Sequence, residues 1–188
     1  MRHMAHYDAL TGLPNRNLLN DRIEQAIEMA KRNAGKVGIL FIDLDHFKSV
    51  NDTLGHHVGD MLLSQVASRM SFVLRATDTL GRLGGDEFLL LAPEVESAES
   101  LAVLGEKLAS ILAQPIVVND HVLHVTLSIG MCCYPDHGDN RDTLMRNADT
   151  AMYHAKTCGK NNAKLYSSSL TMQIMSHVRL EVGLRRAL

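Results

Sequence analysis

Two aspartates stand at the end of an apolar run in the first quarter of the chain. Asp43 directly follows the apolar residues 39–42, and Asp45 comes two positions later. In an extended chain, side chains two residues apart project from the same face, and ligands in α/β sheets bind at strand ends of this kind. The same pattern also fits an aspartate that starts a turn or caps a following short helix. The pattern by itself leaves both interpretations open.

A second acidic pair follows two glycines. Gly84 and Gly85 allow a tight turn and the close approach of a bulky ligand, and Asp86 and Glu87 come next. A Gly-Gly-Asp hairpin alone is a common turn. If this hairpin pairs with the apolar strand before Asp43, however, the carboxylates of Asp43 and Asp86 converge, and that of Glu87 can join them. Carboxylates at such a short distance repel each other unless a cation lies between them. Mg²⁺ prefers oxygen ligands and keeps coordination positions for phosphate oxygens.

Two lysines flank a glycine near the end of the chain. Lys156 lies near the predicted end of a helix, with Gly159 as the left-handed residue that ends it and Lys160 directly after. Basic residues commonly occupy the last helical turn, where they interact favourably with the helix dipole. Two lysines around a glycine can also hold phosphate groups. The spacing does not decide between these roles.

The apolar periodicity predicts the elements that must position these groups. Helices are predicted from a cap at Asn15 to about residues 33–35 and over residues 60–74, 97–112 and 142–157. Strands are predicted over residues 37–43, 79–83, 88–91, 116–118, 122–131 and 163–166. Because one hairpin interrupts the alternation of helices and strands, we expect a central mixed sheet flanked by helices. The fold class is therefore α+β or α/β, and not a purely parallel sheet.

Composition and charge describe an ordinary globular chain. The 188 residues suffice for one domain, and 19 basic against 21 acidic residues give a net charge of −2. This balance excludes a broad cationic surface for long nucleic acid, but it allows a local site for a small anion. No apolar run reaches the ~18 residues of a membrane span, so we expect no insertion of this domain into a membrane. Cys132, Cys133 and Cys158 form no CxxC motif and are expected to be reduced cytosolic thiols, the first two on opposite faces of a strand.

Together these segments resemble the GGDEF family of diguanylate cyclases. Several motifs occur in one order and cover nearly the whole domain, which makes the resemblance specific. The matching positions are residues 8–16, 43–48, 51–52, 55–56, 59–60, 84–88, 128–130 and 149–151, followed by Tyr153, Ala155, Lys156, Gly159 and Asn161. The resemblance implies a fold similar to the polymerase palm and the nucleotidyl cyclases. It also implies that the domain condenses two GTP molecules into cyclic di-GMP and releases two pyrophosphates.

The resemblance implies catalytic and metal-binding roles as well. Asp43, the backbone carbonyl of Leu44 and Asp86 match the Mg²⁺ ligands of the family, with Mn²⁺ as an alternative ion. Asp86, the adjacent Glu87 and Lys48 are the implied catalytic residues. Lys48 matches a residue that stabilises the transition state from the phosphate side. Two metal ions would align the attack of a 3′-hydroxyl on the α-phosphate and neutralise the leaving pyrophosphate.

The implied substrate is GTP, whose triphosphate would contact Lys156 and Lys160. Family members often carry arginine at the position of Lys160. Lysine keeps the charge but cannot form the bidentate hydrogen bonds of a guanidinium. Guanine recognition falls to Asn51 and Asp60, with His56 nearby; adenine would leave the Asp60 carboxylate unpaired, at a cost of about 1–3 kcal/mol. Asp60 could instead only cap the helix that it begins. The other implied substrate-binding residues are Phe47, Gly84 and Gly85.

Regulation and assembly are also implied by the resemblance. Arg75 and Asp78 match the RxxD inhibitory site of the family, at which cyclic di-GMP would bind as product and slow its own synthesis. An arginine can pair with guanine O6 and N7. The two residues also fit a helix-end cation and a turn residue. Since each domain holds one GTP, catalysis needs a homodimer whose two domains face each other across a two-fold axis.

The predicted organisation has three parts. These are a lead-in and wide turn over residues 1–14, the catalytic domain over residues 15–167 and a helical linker over residues 168–188. The linker resembles the helix that leads into an EAL-type phosphodiesterase domain in composite proteins. A second hypothesis therefore stays open, in which the domain binds GTP and regulates a downstream hydrolase. The GTP requirement and the reduced cysteines predict a cytoplasmic domain, and a full-length protein could still be tethered to a membrane.

Overall fold

A five-stranded mixed sheet organises the chain, for which the computed structural model describes residues 6–170. The strands are β1 (Val37–Leu44), β2 (Thr79–Gly84), β3 (Glu87–Ala92), β4 (Ile116–Val118), β5 (His121–Leu123), β6 (Leu127–Tyr134) and β7 (Asn162–Leu165). The helices are α1 (Arg16–Asn33), α2 (Phe47–Leu54), α3 (His56–Phe72), α4 (Ala98–Ile111) and α5 (Arg141–Thr157). The strand order is β2-β3-β1-β6-β7, and β4 and β5 form a separate hairpin. This architecture confirms the predicted fold class.

The central strand β1 carries one of the two predicted acidic segments. It pairs antiparallel with β3 on one side and with β6 on the other, and β7 extends the sheet by pairing in parallel with β6. All eight residues of β1 are buried. A continuous buried run is typical of a strand that is covered on both faces. The end of β1 is therefore a protected position within the sheet.

Alternate residues of β1 pack against two different helix layers. Ile39 and Phe41 belong to an apolar cluster with α1 and α5, whereas Leu40 and Ile42 belong to a cluster with α3 and α4. Side chains in a strand alternate between the two faces of the sheet. Asp43 therefore continues the row that faces α1 and α5.

The three cysteines are free thiols. Cys132 packs in the cluster with α1 and α5, and Cys133 packs in the cluster with α3 and α4. This difference confirms the prediction that the two side chains point to opposite faces of a strand. Burial raises the pKa of both thiols, which keeps them protonated and unreactive. Cys158 is exposed at the end of α5.

The predictions for α1, α4 and α5 are confirmed. Their N-caps are Asn15, Ser97 and Asn140, whose side-chain oxygens accept hydrogen bonds from backbone N–H groups of the first turn. These caps satisfy donors that would otherwise have no partner at the start of a helix. Within residues 6–170, no helix has both the length and the apolar character that crossing a membrane requires.

Two predicted boundaries are wrong. The helix predicted over residues 60–74 begins at His56, because Gly55 with φ +85° starts α3 directly after α2. Its first turn holds two histidines and one buried apolar residue, Val58, which is too little to show an apolar period. Asp60 therefore lies inside α3, and its interpretation as the cap is wrong. The strand predicted over residues 122–131 is instead two strands in different sheets, since β5 pairs with β4 and β6 pairs with β1. Of the predicted linker, residues 171–188 lie outside the described part of the chain.

Candidate active site

Two segments distant in sequence bring the predicted carboxylates together. Asp43 and Leu44 end β1, and the Cα of Asp43 is paired in register with that of Glu87 on β3. The backbone N–H of Leu44 donates a hydrogen bond of 3.2 Å to the carbonyl oxygen of Asp86. The glycine turn therefore lies beside the end of β1. This arrangement confirms the predicted juxtaposition of Asp43 and Asp86.

The carboxylate of Asp43 is buried among charged groups. It is 5% exposed, and its Oδ2 lies 2.7 Å from Nζ of Lys156 on α5. Burial raises the pKa of Asp43 to about 6; Lys156 opposes this shift, and the negative charges of Asp86 and Asp45 add to it. Negative charge at this strand end is therefore only partly compensated by the protein. A bound cation would favour the ionised carboxylate.

The donor set suits a hard divalent cation. The predicted ligands are the carboxylates of Asp43 and Asp86 and the carbonyl of Leu44, all of which offer oxygen atoms as Mg²⁺ and Mn²⁺ prefer. Within residues 6–170, no three side chains of His, Cys, Asp or Glu converge into a metal site by themselves. This finding is compatible with a set that contains two carboxylates and one backbone carbonyl. The residues fit the ion, and their assignment as ligands stays a prediction.

The turn that carries Asp86 is open on its outer side. Gly84 and Gly85 have φ values of +141° and +54°, which L side chains rarely adopt, and a Cβ built on either would meet no atom within 4 Å. Glycine is therefore needed for the backbone conformation and not because of crowding. Asp86 and Glu87 are half-buried beside this open space. A ligand could approach the backbone of the turn closely.

Arg82 fixes this turn, a role that the sequence patterns did not indicate. Its Nε and Nη2 donate hydrogen bonds of 3.0 and 2.7 Å to the carbonyl oxygen of Gly85, and its Nη1 lies 3.1 Å from the carboxylate of Asp8. Asp8 also accepts hydrogen bonds from the backbone N–H and the hydroxyl of Thr11. The guanidinium therefore ties the N-terminal turn to the turn before Asp86. The sequence does contain a signal for this role, which is an arginine two residues before paired glycines. The five donors of a guanidinium can bind several acceptors at fixed angles.

Asp45 is a structural residue that connects three segments. It is 2% exposed, and its carboxylate accepts hydrogen bonds from the hydroxyls of Thr126 and Ser128 at 2.7 Å and from the backbone N–H of Asn161 at 3.0 Å. These bonds link the end of β1 to the start of β6 and to the loop after α5. Neither aspartate of the first acidic segment caps α2, because that helix has no side-chain cap bond. The capping interpretation of Asp43 and Asp45 is therefore wrong.

Both predicted phosphate-binding lysines reach the same strand end. Lys156 lies in the last turn of α5 and pairs with Asp43. Gly159 has φ +100°, the left-handed conformation predicted for the residue that ends the helix. Lys160 follows, and its Nζ lies 3.5 Å from Nε2 of His46 at the start of α2. Lys156 is therefore a helix-end cation, and phosphate binding by the two lysines stays a prediction.

The corner between α2 and α3 carries the residues that were predicted to bind guanine. The Oδ1 atom of Asn51 is buried without a hydrogen-bond partner among the described residues, a state that costs about 1–3 kcal/mol unless a ligand supplies a donor. His56 and Asp60 are exposed on α3, and Lys48 is exposed in the first turn of α2. Phe47 is 8% exposed and packs in the core, so its side chain supports the corner and only its backbone remains for a substrate contact.

Arg75 and Asp78 form a tight turn after α3. The backbone N–H of Arg75 donates to Oδ2 of Asp78 at 2.9 Å, and the N–H of Asp78 donates to the carbonyl of Arg75 at 3.0 Å. This confirms the turn interpretation of Asp78, whereas Arg75 lies beyond the last turn of α3 and is not a helix-end cation. Arg75 lines two clefts of about 270 and 450 Å³. Lys107 lines the first cleft and Lys36 the second, and two glutamates line both, so each cleft combines cations with carboxylates.

The chain belongs to the family described as "Diguanylate cyclase, GGDEF domain". The model of this family matches residues 5–162. The matched range contains the convergent acidic residues, both lysines, the corner between α2 and α3 and the turn of Arg75. The match confirms the resemblance that the order of motifs indicated.

Two curated proteins of Pseudomonas aeruginosa are similar over nearly the full chain. The bifunctional diguanylate cyclase/cyclic di-GMP phosphodiesterase MucR is 48% identical over 185 residues, which are 98% of this chain and 27% of MucR. The cyclic di-GMP phosphodiesterase NbdA is 38% identical over 188 residues, which are 100% of this chain and 24% of NbdA. This chain therefore spans about a quarter of the length of either relative.

A solved structure supports the fold. The GGDEF domain of TpbB (also called YfiN) from Pseudomonas aeruginosa superposes with a TM-score of 0.88 at 34% sequence identity. The superposition covers 90% of this chain and 99% of that domain. The mixed sheet with its flanking helices is thus the GGDEF fold.

Proposed function

We propose that this domain is a diguanylate cyclase, which joins two GTP molecules into cyclic di-GMP and releases two pyrophosphates. One observation carries the proposal. The buried carboxylate of Asp43 lies beside the turn of Asp86, with Lys156 bound to it and with its pKa raised to about 6. The proposed cation site therefore lies next to Lys156, which can bind phosphate. The attack of a hydroxyl on an α-phosphate requires both groups.

The divalent ion of this proposal is Mg²⁺ or Mn²⁺, held by Asp43, the carbonyl of Leu44 and Asp86. When bound, such an ion lowers the pKa of a 3′-hydroxyl and neutralises charge on the phosphate oxygens. Arg82 holds the backbone of the glycine turn at Gly85, so the carboxylate that follows is positioned by the protein itself. Glu87, in register with Asp43, adds a carboxylate to the proposed catalytic set.

The triphosphate contacts of the proposal come from three lysines. Lys156 already forms an ion pair at the strand end, so a small movement brings its ammonium from the carboxylate to an incoming phosphate. Lys160 and the exposed Lys48 complete the set, and Lys48 would stabilise charge that develops in the transition state. The open backbone of Gly84 and Gly85 allows the phosphates to approach closely.

Guanine recognition in the proposal belongs to the corner between α2 and α3. The buried, unpaired Oδ1 of Asn51 can accept a hydrogen bond from an amino group of the base. The exposed Asp60 can accept from N1–H and the N2 amine, with His56 beside it. Because adenine has neither an N1–H nor an N2 amine, ATP would leave the Asp60 carboxylate without these donors, which weakens its binding relative to GTP.

Assembly and inhibition are the remaining parts of the proposal. One domain holds one GTP, so the reaction needs a homodimer with two facing sites. Cyclic di-GMP would inhibit by binding at the exposed Arg75, which lines two clefts that also contain Lys107 and Lys36. Asp78 holds the turn that presents this arginine. The use of GTP as substrate is consistent with a cytoplasmic domain.

A second candidate function is regulatory. The observation that favours it is the similarity to NbdA, which is named a phosphodiesterase although it matches the whole of this chain. In this case the domain binds GTP, turns over little, and controls an EAL-type domain that the linker predicted at residues 168–188 would connect. The presence of both Asp86 and Glu87 favours synthesis, because a module that only binds nucleotide can lose either carboxylate.

Product analysis of the chain with GTP and Mg²⁺ distinguishes the two functions. The assay uses the chain alone and the chain fused at its N-terminus to a dimerising coiled coil, since activity needs two domains. We expect cyclic di-GMP from the fused chain and none from its Asp86→Ala variant. Asp120→Ala, in the exposed turn between β4 and β5, is the matched control and should keep full activity. Bound GTP without cyclic di-GMP would favour the regulatory function and contradict the proposed one.

A further inference from the structure

Two loops in left-handed backbone conformations meet at the edge of the candidate active site. His46 has φ +63° and ψ +13°, and Lys160 and Asn161 have φ values of +62° and +48°. Residues other than glycine adopt such conformations where the surrounding contacts enforce them, and they often do so at functional sites. Asp45 provides one such contact, since its carboxylate accepts the backbone N–H of Asn161 at 3.0 Å. The two loops are therefore held side by side.

The side chains of His46 and Lys160 face each other across this junction. Nε2 of the imidazole lies 3.5 Å from Nζ of the lysine, with the histidine exposed and the lysine half-buried. His46 is the N-cap residue of α2, where a side chain commonly bonds to its own helix, yet it makes no such bond. The ring is directed to the lysine instead of the helix.

We propose that His46 is a positioning residue for Lys160 in nucleotide binding, an inference that rests on the proposed function. With the ring proton on Nδ1, Nε2 of His46 accepts a hydrogen bond from the ammonium group and restrains a side chain with many rotamers before the ligand arrives. An ammonium group has three donors, so one bond to His46 leaves two for phosphate oxygens. The effect should fall on the outer phosphates of GTP, because neither residue belongs to the corner that is proposed to hold the base.

The experiment is a double-mutant cycle on nucleotide affinity, measured by calorimetry on the whole chain with Mg²⁺. The ligands are a non-hydrolysable GTP analogue and GMP. His46→Gly removes the ring and suits the left-handed backbone, and His46→Asn tolerates that backbone while keeping a short acceptor. We expect His46→Gly to weaken the GTP analogue about threefold to tenfold and to leave GMP unchanged. His46→Asn should recover part of this loss.

The coupling between the two residues decides the outcome. If His46 acts through Lys160, the double variant His46→Gly/Lys160→Met binds the GTP analogue no more weakly than Lys160→Met alone. Additive losses, or an equal loss for GMP, would overturn the positioning role. Unchanged affinity in both His46 variants would reject this inference and leave the proposed function standing, whereas a wild-type chain that binds neither nucleotide rejects the proposed function too. Urea unfolding of each variant identifies any that does not fold, and His46→Asn then carries the test.

Discussion

Replacing Asp45 with alanine should destabilise the domain strongly, although the residue lies outside the proposed set of metal ligands. Its carboxylate is 2% exposed and accepts hydrogen bonds from the hydroxyls of Thr126 and Ser128 and from the backbone N–H of Asn161. Hydrogen bonds to a charged group contribute about 1.5–3 kcal/mol each, and a buried donor without a partner costs about 1–3 kcal/mol. Ser128 is completely buried, so its hydroxyl cannot turn to solvent instead.

The expected loss is smaller than the sum of three such bonds. Burying a carboxylate is itself costly, and the charge of Asp45 adds to the repulsion on Asp43. We therefore expect Asp45→Ala to lower the free energy of unfolding by about 3–5 kcal/mol, the low end of the sum for three donors left without a partner at about 1–3 kcal/mol each. In a domain of this size that loss lowers Tm by roughly 6–20 °C. Asp45→Asn keeps the shape and one acceptor oxygen, so we expect about half the loss.

Urea unfolding followed by circular dichroism measures this prediction, with the midpoint and the slope m fitted separately. Asp52→Ala is the matched control, because Asp52 is an exposed acid on the neighbouring helix α2 and should change stability by less than about 0.5 kcal/mol. A loss below about 1 kcal/mol in Asp45→Ala, with m unchanged, would refute the assignment of Asp45 as a buried connection between three segments. Equal losses in the alanine and asparagine variants would refute the role of the remaining acceptor.

Three further outcomes follow from other contacts. Arg82→Lys cannot reproduce the donors of the guanidinium and should cost about 1–2 kcal/mol in thermal unfolding; an unchanged Tm would contradict this. Burial raises the pKa of Asp8, but hydrogen bonds from neighbouring side chains and backbone outweigh it and leave this pKa below its usual 3.8. The contribution of Asp8 is thus present above pH 3.8 and is lost as the pH falls through the folded pKa, so the deficit of Asp8→Asn at pH 7 should shrink in unfolding curves at low pH. A deficit that stays constant down to pH 2 speaks against this linkage. Gly59→Ala puts a Cβ 1.9 Å from Oδ1 of Asn51 and should weaken binding of a GTP analogue about tenfold by calorimetry, whereas Gly35→Ala meets nothing closer than 3.8 Å and should bind normally.

Local patterns were sufficient for most elements of the fold. The helical period predicted α1, α4 and α5, with Asn15 as a cap for α1, because both signals come from residues within a few positions of each other. The start of α3 could not be predicted in this way, since Gly55 alone separates α2 from α3 and the first turn has no side-chain cap. The break between β5 and β6 was also hidden. Alternating apolar residues show that a segment is extended, but they do not show which strand it pairs with.

The same distinction between local and long-range information applies to the candidate site. The sequence alone indicated the two acidic segments, the lysines around Gly159 and the order of motifs that is typical of the GGDEF family. Only the tertiary structure revealed the contacts of Asp45, Arg82 and His46, whose partners lie 116, 74 and 114 residues away in the chain. Residue type and local spacing state what a side chain is able to do. Which distant group it meets depends on strand order and loop conformation, which the packing of the whole domain decides.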